Sequence, residues 1–298
     1  MNKMNKKKSI SLFLMTQKGY EVLRVLAEEF NSIIFSVVSA RDLNIQKDYY
    51  DEIKEICHNF NIPFYDRTET YKLESEYFIA VSWRWLINRP FNKLIIFHDS
   101  LLSKYRGFNP LVSALINGEK QIGVTAIFAS EEYDRGGIIS QLSTEISYPI
   151  KIQRAIDLII KNYKKLVLQI VRKIANDEII NAAKQNESEA TYSLWRDEGD
   201  YKIDWSMDSE YIRRFVDAVG FPYSGAKATL NDKIVRIKDA EVVGDVKIEN
   251  RVLGKVIFVK DSKPVVVCGK GLLKINELLD DVTRKSLLPL SKFKVRLE

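Results

Sequence analysis

Cysteine and histidine are scarce in this chain: Cys57 and Cys268, His58 and His98, among 298 residues. Two cysteines far apart in sequence exclude a disulfide framework and a cysteine-based metal site, so no metal is expected and a reducing cytoplasm is the natural compartment. Long apolar runs are missing too. Stretches such as residues 12–15 and 94–97 fall far short of the roughly 18 residues a membrane helix needs, and no membrane association is expected. Lys3, Lys6, Lys7 and Lys8 precede the first apolar run, but that run is too short for a secretory leader, and the lysines read as a basic tail entering a strand. No G-x-G-x-x-G follows that strand. The turn is Thr16-Gln17-Lys18-Gly19, which argues against a dinucleotide cofactor. Internal repeats and low-complexity segments are absent as well.

Charge is present without segregation. Lys and Arg total 46 against 40 Asp and Glu, a formal +6 with the two signs interspersed. That balance suits an anionic partner, whether a nucleotide-sugar, a folate tail or a tRNA, without choosing among them. With 46% apolar residues, the chain can fill two cores. Residues 9–15, 33–40, 62–65, 77–82 and 94–97 read as buried strands. Helical spacing of Tyr20, Leu23, Val25, Leu26 and Phe30, and again over residues 49–60, separates the first of them. A helix at 110–117 and strands at 123–129 and 138–146 complete an α/β pattern, which predicts a mostly parallel sheet with helices on both faces. One apolar face from Ile156 to Ile174 marks a long helix that closes this domain.

The polar, aperiodic stretch 181–190 reads as a linker, dividing a domain of residues 1–180 from one of 191–298. In the latter, a helix at 209–219 accompanies short alternating runs at 226–230, 234–237, 255–259, 265–267, 272–275 and 293–297, the pattern of a small β-barrel or sandwich.

Chemistry concentrates in Phe97-His98-Asp99-Ser100-Leu101-Leu102-Ser103-Lys104-Tyr105-Arg106-Gly107, where a histidine stands at the point an apolar strand runs out into a polar loop. In open α/β sheets, ligands bind beyond the carboxyl ends of strands. A histidine there is either a hydrogen-bonded structural residue or part of a site. His58, the other histidine, lies in a helix whose pattern marks it as surface. A second segment pairs the strand containing Gly123-Val124-Thr125 with the acidic loop Glu131-Glu132-Tyr133-Asp134-Arg135-Gly136.

Together these segments resemble the folate-dependent formyltransferase family, which includes methionyl-tRNA formyltransferase and the sugar N-formyltransferases, in its SLLPxYRG loop, GVT strand and D-x-G loop. The likeness extends to Ile203-Asp204-Trp205-Ser206 and Gly220-Phe221-Pro222-Tyr223-Ser224-Gly225-Ala226, which look like the start of that family's carboxy-terminal domain. The resemblance implies a Rossmann-like first domain, an OB-like second domain and N10-formyltetrahydrofolate as formyl donor. It implies His98 and Asp134 as catalytic residues: an imidazole to stabilise the oxygen that turns negative when an amine attacks the formyl carbon, and a carboxylate to orient it and help take the amine proton. Trp85, Leu86 and Ile87 would pack on the pterin, with Ser130, Glu131, Glu132 and Tyr133 as the opposite wall.

Two positions depart from the family pattern. Ile96 stands where an asparagine normally completes an Asn-His-Asp triad, so either another donor substitutes, with Asn109, Ser100 and a backbone N–H as the candidates, or the enzyme is slow. Ser103 replaces a proline.

The tRNA enzymes of the family carry a basic, Gly-rich insertion after the second strand, whereas residues 41–48 here are short and charge-balanced. The residues 105–110 and 82–85 look more like the sugar branch. The expected acceptor is therefore the amine of a nucleotide-linked amino sugar, held by Trp83, Ser100, Tyr105, Arg106, Phe108 and Asn109. Initiator tRNA is the alternative, and a folate-binding homologue without activity is a third reading. Trp205, Phe221 and Tyr223 are expected as exposed aromatics that pack on the first domain or on a second subunit.

Overall fold

The structure, a computed structural model, describes residues 8–298. Of the expected basic tail, Lys3, Lys6 and Lys7 lie outside the described residues. The first strand, β1 (Ile10–Leu14), is buried along its whole length. That is why it reads as a continuous apolar run rather than an alternation. After it come α1 (Thr16–Phe30), β2 (Ile34–Ser39), α2 (Tyr50–Asn59), β3 (Phe64–Asp66), β4 (Tyr77–Val81) and β5 (Leu94–His98). Next are a two-residue strand β6 (Arg106–Gly107), α3 (Pro110–Asn117), β7 (Gln121–Phe128), β8 (Ile138–Glu145) and the long α4 (Ile152–Ala175).

The sheet runs β3-β2-β1-β4-β5-β7-β8. Strands β1 to β5 pair in parallel, whereas β7 is antiparallel to β5 and to β8. The parallel expectation therefore stops at β5. The stretch 129–137 between β7 and β8 is shorter than the dozen or so residues a parallel crossover needs, so the chain turns back on itself. In α1 the inward face is Val22, Leu23, Leu26 and Ala27, one position displaced from the expected Val25.

Contact patterns divide the chain into two units. The first comprises residues up to Pro110, Gln121–Glu145 and Ile156–Leu194; the second takes Leu111–Lys120, Ile146–Ala155 and Trp195–Glu298. The chain is not divided at a single linker. Residues 181–190 pack within the first unit, where Ala183 bridges Ile138 through reciprocal backbone hydrogen bonds. Its last strand, β9 (Tyr192–Ser193), pairs in parallel with β6.

The second unit holds α5 (Ser209–Ala218), β10 (Ala226–Leu230), β11 (Lys233–Val243), β12 (Val256–Lys260), β13 (Lys263–Val267) and β14 (Leu272–Asp280) in an antiparallel sheet of order β10-β11-β14-β13-β12. The strand expected at 293–297 forms only isolated bridges, Leu297 to Leu230 and Arg296 to Lys255. Those bridges tie the two edges of the sheet together and leave fewer unpaired edge groups. Trp205, expected to be exposed, is buried in this unit, while Phe221 is half exposed.

Helix α5 carries a buried ion pair, Arg213 Nη1 to Asp217 Oδ2 at 2.9 Å. Burial pushes the Asp217 carboxyl up to about 6, against the pull of Arg213. Between the ordinary value of 3.8 and about 6, the folded chain holds a proton that the unfolded chain has released. Stability from this site is thus present below that window and is lost as pH rises through it, by on the order of 2–3 kcal/mol. Asp217→Asn should flatten this slope in urea unfolding midpoints measured at pH 4 and pH 6.5.

Candidate active site

The loop after β5 is seated on β7 by one hydroxyl. Thr125 Oγ1 donates to the Ser100 carbonyl at 2.6 Å and accepts from the Leu102 N–H at 3.1 Å and from Gln141 Nε2 at 2.9 Å. One donor and two lone pairs are thereby all used. Gln141 also bonds the Leu102 carbonyl at 2.6 Å. Close seating requires glycine at 123, because a Cβ there would stand 2.4 Å from Leu101 Cδ2 and 2.6 Å from the Leu142 oxygen. The GVT sequence is, physically, a platform for this loop.

On that platform His98 is 7% exposed. Its Nε2 lies 2.8 Å from the Tyr105 carbonyl. A carbonyl only accepts, so Nε2 carries the hydrogen, and Nδ1 lies on the opposite edge of the ring. That edge faces Asp134, whose Oδ1 is 3.5 Å from Nδ1. The other carboxylate oxygen, Oδ2, accepts the Gly107 N–H at 2.8 Å. Asp134 reaches the histidine from the loop between β7 and β8 with a left-handed backbone, φ 57°. Thr16, Ser82, Tyr105 and Asn109 share that uncommon conformation. Non-glycine residues held there cost on the order of 1 kcal/mol or more each, and such strain gathers at functional sites.

Beside His98 on β5, Ile96 turns into an apolar wall. With Trp83, Ile87 and Ala129 it packs on the cluster of Phe13, Val38, Phe78, Ala80 and Leu94. Trp83 is held edge-on between Phe13 and Trp85, both at 5.1 Å, and its Nε1 is buried without a partner among the described residues. Trp85 keeps an exposed face, over which Arg67 stacks at 4.3 Å.

The structure brings Trp83, Trp85 and Ile87 together with Ala129, next to Ser130. It leaves Leu86, 85% exposed, outside that cluster. Glu131, Glu132 and Tyr133 form an exposed loop tip, where Ser130 Oγ donates to the Glu132 carbonyl at 2.6 Å and Glu132 pairs with Arg135.

Two residues expected to meet substrate are otherwise engaged. Ser100 is buried, and its hydroxyl donates to the Lys104 carbonyl at 2.6 Å. Arg106 is 0% exposed. Its guanidinium donates to Gln185 Oε1, both Glu187 carboxylate oxygens and the Tyr192 hydroxyl, which leaves no donor for a ligand. Buried cations persist only with such pairing. Phe108 is half exposed, while Tyr105 and Asn109 are partly buried.

Behind the histidine, Asp99 takes both the Lys18 ammonium and the Tyr163 hydroxyl. Burial, then the Asp99 charge, pushes that phenol well above its usual range. Sequence reasoning missed Thr125, Gln141 and Gln185. The first lies inside a motif that was visible, whereas Gln185 lies in a stretch with no periodicity to draw attention. A cavity of about 450 Å³ bordered by Ile203, Trp205, Leu253 and Leu297 belongs to the second unit and contains none of these residues.

Residues 69–171 match the Formyl transferase family model and residues 197–286 the Formyl transferase, C-terminal domain model. Methionyl-tRNA formyltransferase of Fusobacterium nucleatum subsp. nucleatum is 27% identical over 248 residues, covering 78% of this chain and 79% of that relative. Among solved structures, the sugar 3N-formyl transferase WlaRD, determined in the presence of dTDP and 5-N-formyl-THF, aligns with TM-score 0.68 and 18% identity over 91% of this chain and 99% of that one. The N-formyltransferase from Helicobacter canadensis, in complex with folinic acid and dTDP-3-aminofucose, aligns with TM-score 0.67 and 16% identity, covering 90% of this chain and 98% of its own.

Thr125→Val keeps the shape of the side chain and strands the Ser100 carbonyl and the Leu102 N–H in a buried setting. It should destabilise the protein by about 1–3 kcal/mol in urea titration.

Proposed function

The chain belongs to the formyl transferase family, whose members transfer one-carbon formyl groups, and we propose that it moves the formyl group of N10-formyltetrahydrofolate onto the amine of a nucleotide-linked amino sugar at His98 and Asp134. The carrying observation is the division of labour on the imidazole: Nε2 is committed to the Tyr105 carbonyl, so Nδ1 and the facing Asp134 Oδ1, 3.5 Å apart, form the edge that handles the proton.

The formyl donor supplies the reacting carbon as an amide on N10. In the reaction the amine nitrogen bonds to that carbon, the bond to N10 breaks, and the amine proton ends on N10. Asp134 and His98 Nδ1 take the proton from the attacking amine and return it to the leaving nitrogen. Once protonated, the imidazolium of His98 stabilises by its charge the oxygen that turns negative, with Asp134 holding the ring in place. Ile96 supplies no amide and the Ser100 hydroxyl is committed, so more of the charge stabilisation rests on His98 than in an Asn-His-Asp site. The apolar wall of Trp83, Ile87, Ile96 and Ala129, with an unpartnered indole N–H inside it, suits a heteroaromatic donor that offers acceptors.

A sugar acceptor is favoured by the connection between β2 and α2. It is short, and its charges neutralise one another: Arg41 pairs with Asp48 and Asp51, Lys47 with Glu52, and Asp42 with Arg84. Little cationic surface is left there for phosphates. The curated relatives, which are tRNA formyltransferases, favour initiator tRNA as the second reading.

Incubation with N10-formyltetrahydrofolate, a panel of nucleotide-linked amino sugars and initiator tRNA, followed by mass spectrometry, separates these readings. Formyl transfer to a sugar is the expected result. Transfer to tRNA alone, with affinity falling steeply in salt, refutes the acceptor, and a formyl group retained on folate with every amine refutes the reaction. His98→Ala and Asp134→Ala should each slow transfer by at least ~100-fold without unfolding the protein.

A further inference from the structure

We propose that the segment 183–193 is a clamp that sets the His98–Asp134 geometry, with Gln185 as its positioning residue and Arg106 as its anchor. The inference rests on the roles given to His98 and Asp134 above. The segment falls between the two family matches, which end at residue 171 and resume at 197.

The argument is one of connectivity. Both partners of the imidazole come from loops: Tyr105 from the loop after β5, and Asp134 from the loop after β7. Gln185 joins these loops from a third segment, beside the direct bond from the Gly107 N–H to Asp134 Oδ2. Its Nε2 donates to the carbonyls of Asp134 at 2.6 Å and Gly136 at 2.9 Å. Its Oε1 accepts from Arg106 Nε at 3.1 Å and Nη2 at 2.8 Å. Arg106 in turn grips Glu187 through both terminal nitrogens, at 2.8 and 2.7 Å.

The main chain repeats the link. Thr191 Oγ1 accepts from the Tyr105 N–H at 2.9 Å, the Thr191 carbonyl from the Arg106 N–H at 2.9 Å, and the Ser193 carbonyl from the Phe108 N–H at 3.0 Å. The residues on either side of the imidazole are thus indexed to one short segment. Asp134 needs that index, because its left-handed φ of 57° is a conformation a free aspartate rarely adopts. Only a planar fork can satisfy Gln185 and Glu187 at once, so lysine cannot replace Arg106.

Imidazole ¹⁵N–¹H spectra of the full-length protein provide the test, since His58 and His98 are the only histidines and exposed His58 serves as the reference. Gln185→Met keeps side-chain length and removes the amide. It should move the His98 resonances while leaving those of His58 in place, and the exposed neighbouring change Lys184→Ala should move neither. Where an acceptor from the panel is formylated, Gln185→Met should lower kcat by about 10- to 100-fold, as misplacement of a positioned group does, with KM for N10-formyltetrahydrofolate unchanged. Arg106→Lys should reproduce the spectral change from the far end of the clamp.

Unchanged His98 resonances in folded Gln185→Met overturn the proposal, and so does an unchanged kcat. A wild-type protein that formylates nothing refutes the proposed function but leaves the spectral comparison able to decide on the clamp.

Discussion

A buried guanidinium must find a partner for each of its N–H groups, and in this protein that demand organises the chemistry. Arg106, fully enclosed, draws Gln185, Glu187 and Tyr192 onto the loop that follows β5. Glu187 stays largely exposed, so the pair has one end in the interior and one at the surface. The carboxylate of Glu187 is held below its usual range by Arg106, and the Tyr192 phenol is lowered by Arg135 and then Arg106. Arginine suits this position because its donors are fixed in a plane and its charge survives burial.

The histidine is ordered by what surrounds it more than by any one contact. Thr125 and Gln141 hold the loop down on β7, Gly123 permits the close approach, and Asp99 ties the strand end to Lys18 and Tyr163. The polar side chains among these are buried or half-buried and hydrogen-bonded to one another or to the loop, and such pairing is what lets a polar network rigidify a core. A scaffold of this kind can hold Asp134 and Tyr105 in left-handed backbone conformations that a looser loop would relax.

Much of the first unit was legible in one dimension. Parallel strands buried on both faces appear as unbroken apolar runs, and β1, β2 and β4 fall within the stretches that such runs predict, while β5 outruns its predicted 94–97 by one residue, His98, and the bounds of α3 coincide with its predicted 110–117. His98 and Asp134 were legible through their motifs and lie together in the structure. Other features were not. The antiparallel pairing of β7 with β5 is one, because local pattern does not encode pairing direction, and connection length accounts only for the return from β7 to β8. Leu86 shares its apolar character with Trp85 and Ile87, yet faces solvent. Residues 293–297 carry strand-like alternation but serve as a brace between two edges.

Composition and periodicity determined which residues could form buried strands and where the polar loops would fall, because these depend on neighbours in the chain, and the resemblance of two loop motifs to a known family picked out His98 and Asp134 as candidates. Whether a polar side chain faces substrate or the protein itself was decided only by tertiary structure. Arg106 and Ser100 look like ligand-binding groups in sequence and turn out to be internal fastenings, while Gln185, in a stretch that reads as a linker, joins the two loops that flank His98. The physical reason is that a hydrogen bond requires two groups to meet at about 3 Å, and for residues some 80 positions apart, such as Arg106 and Gln185, that meeting is a property of the fold.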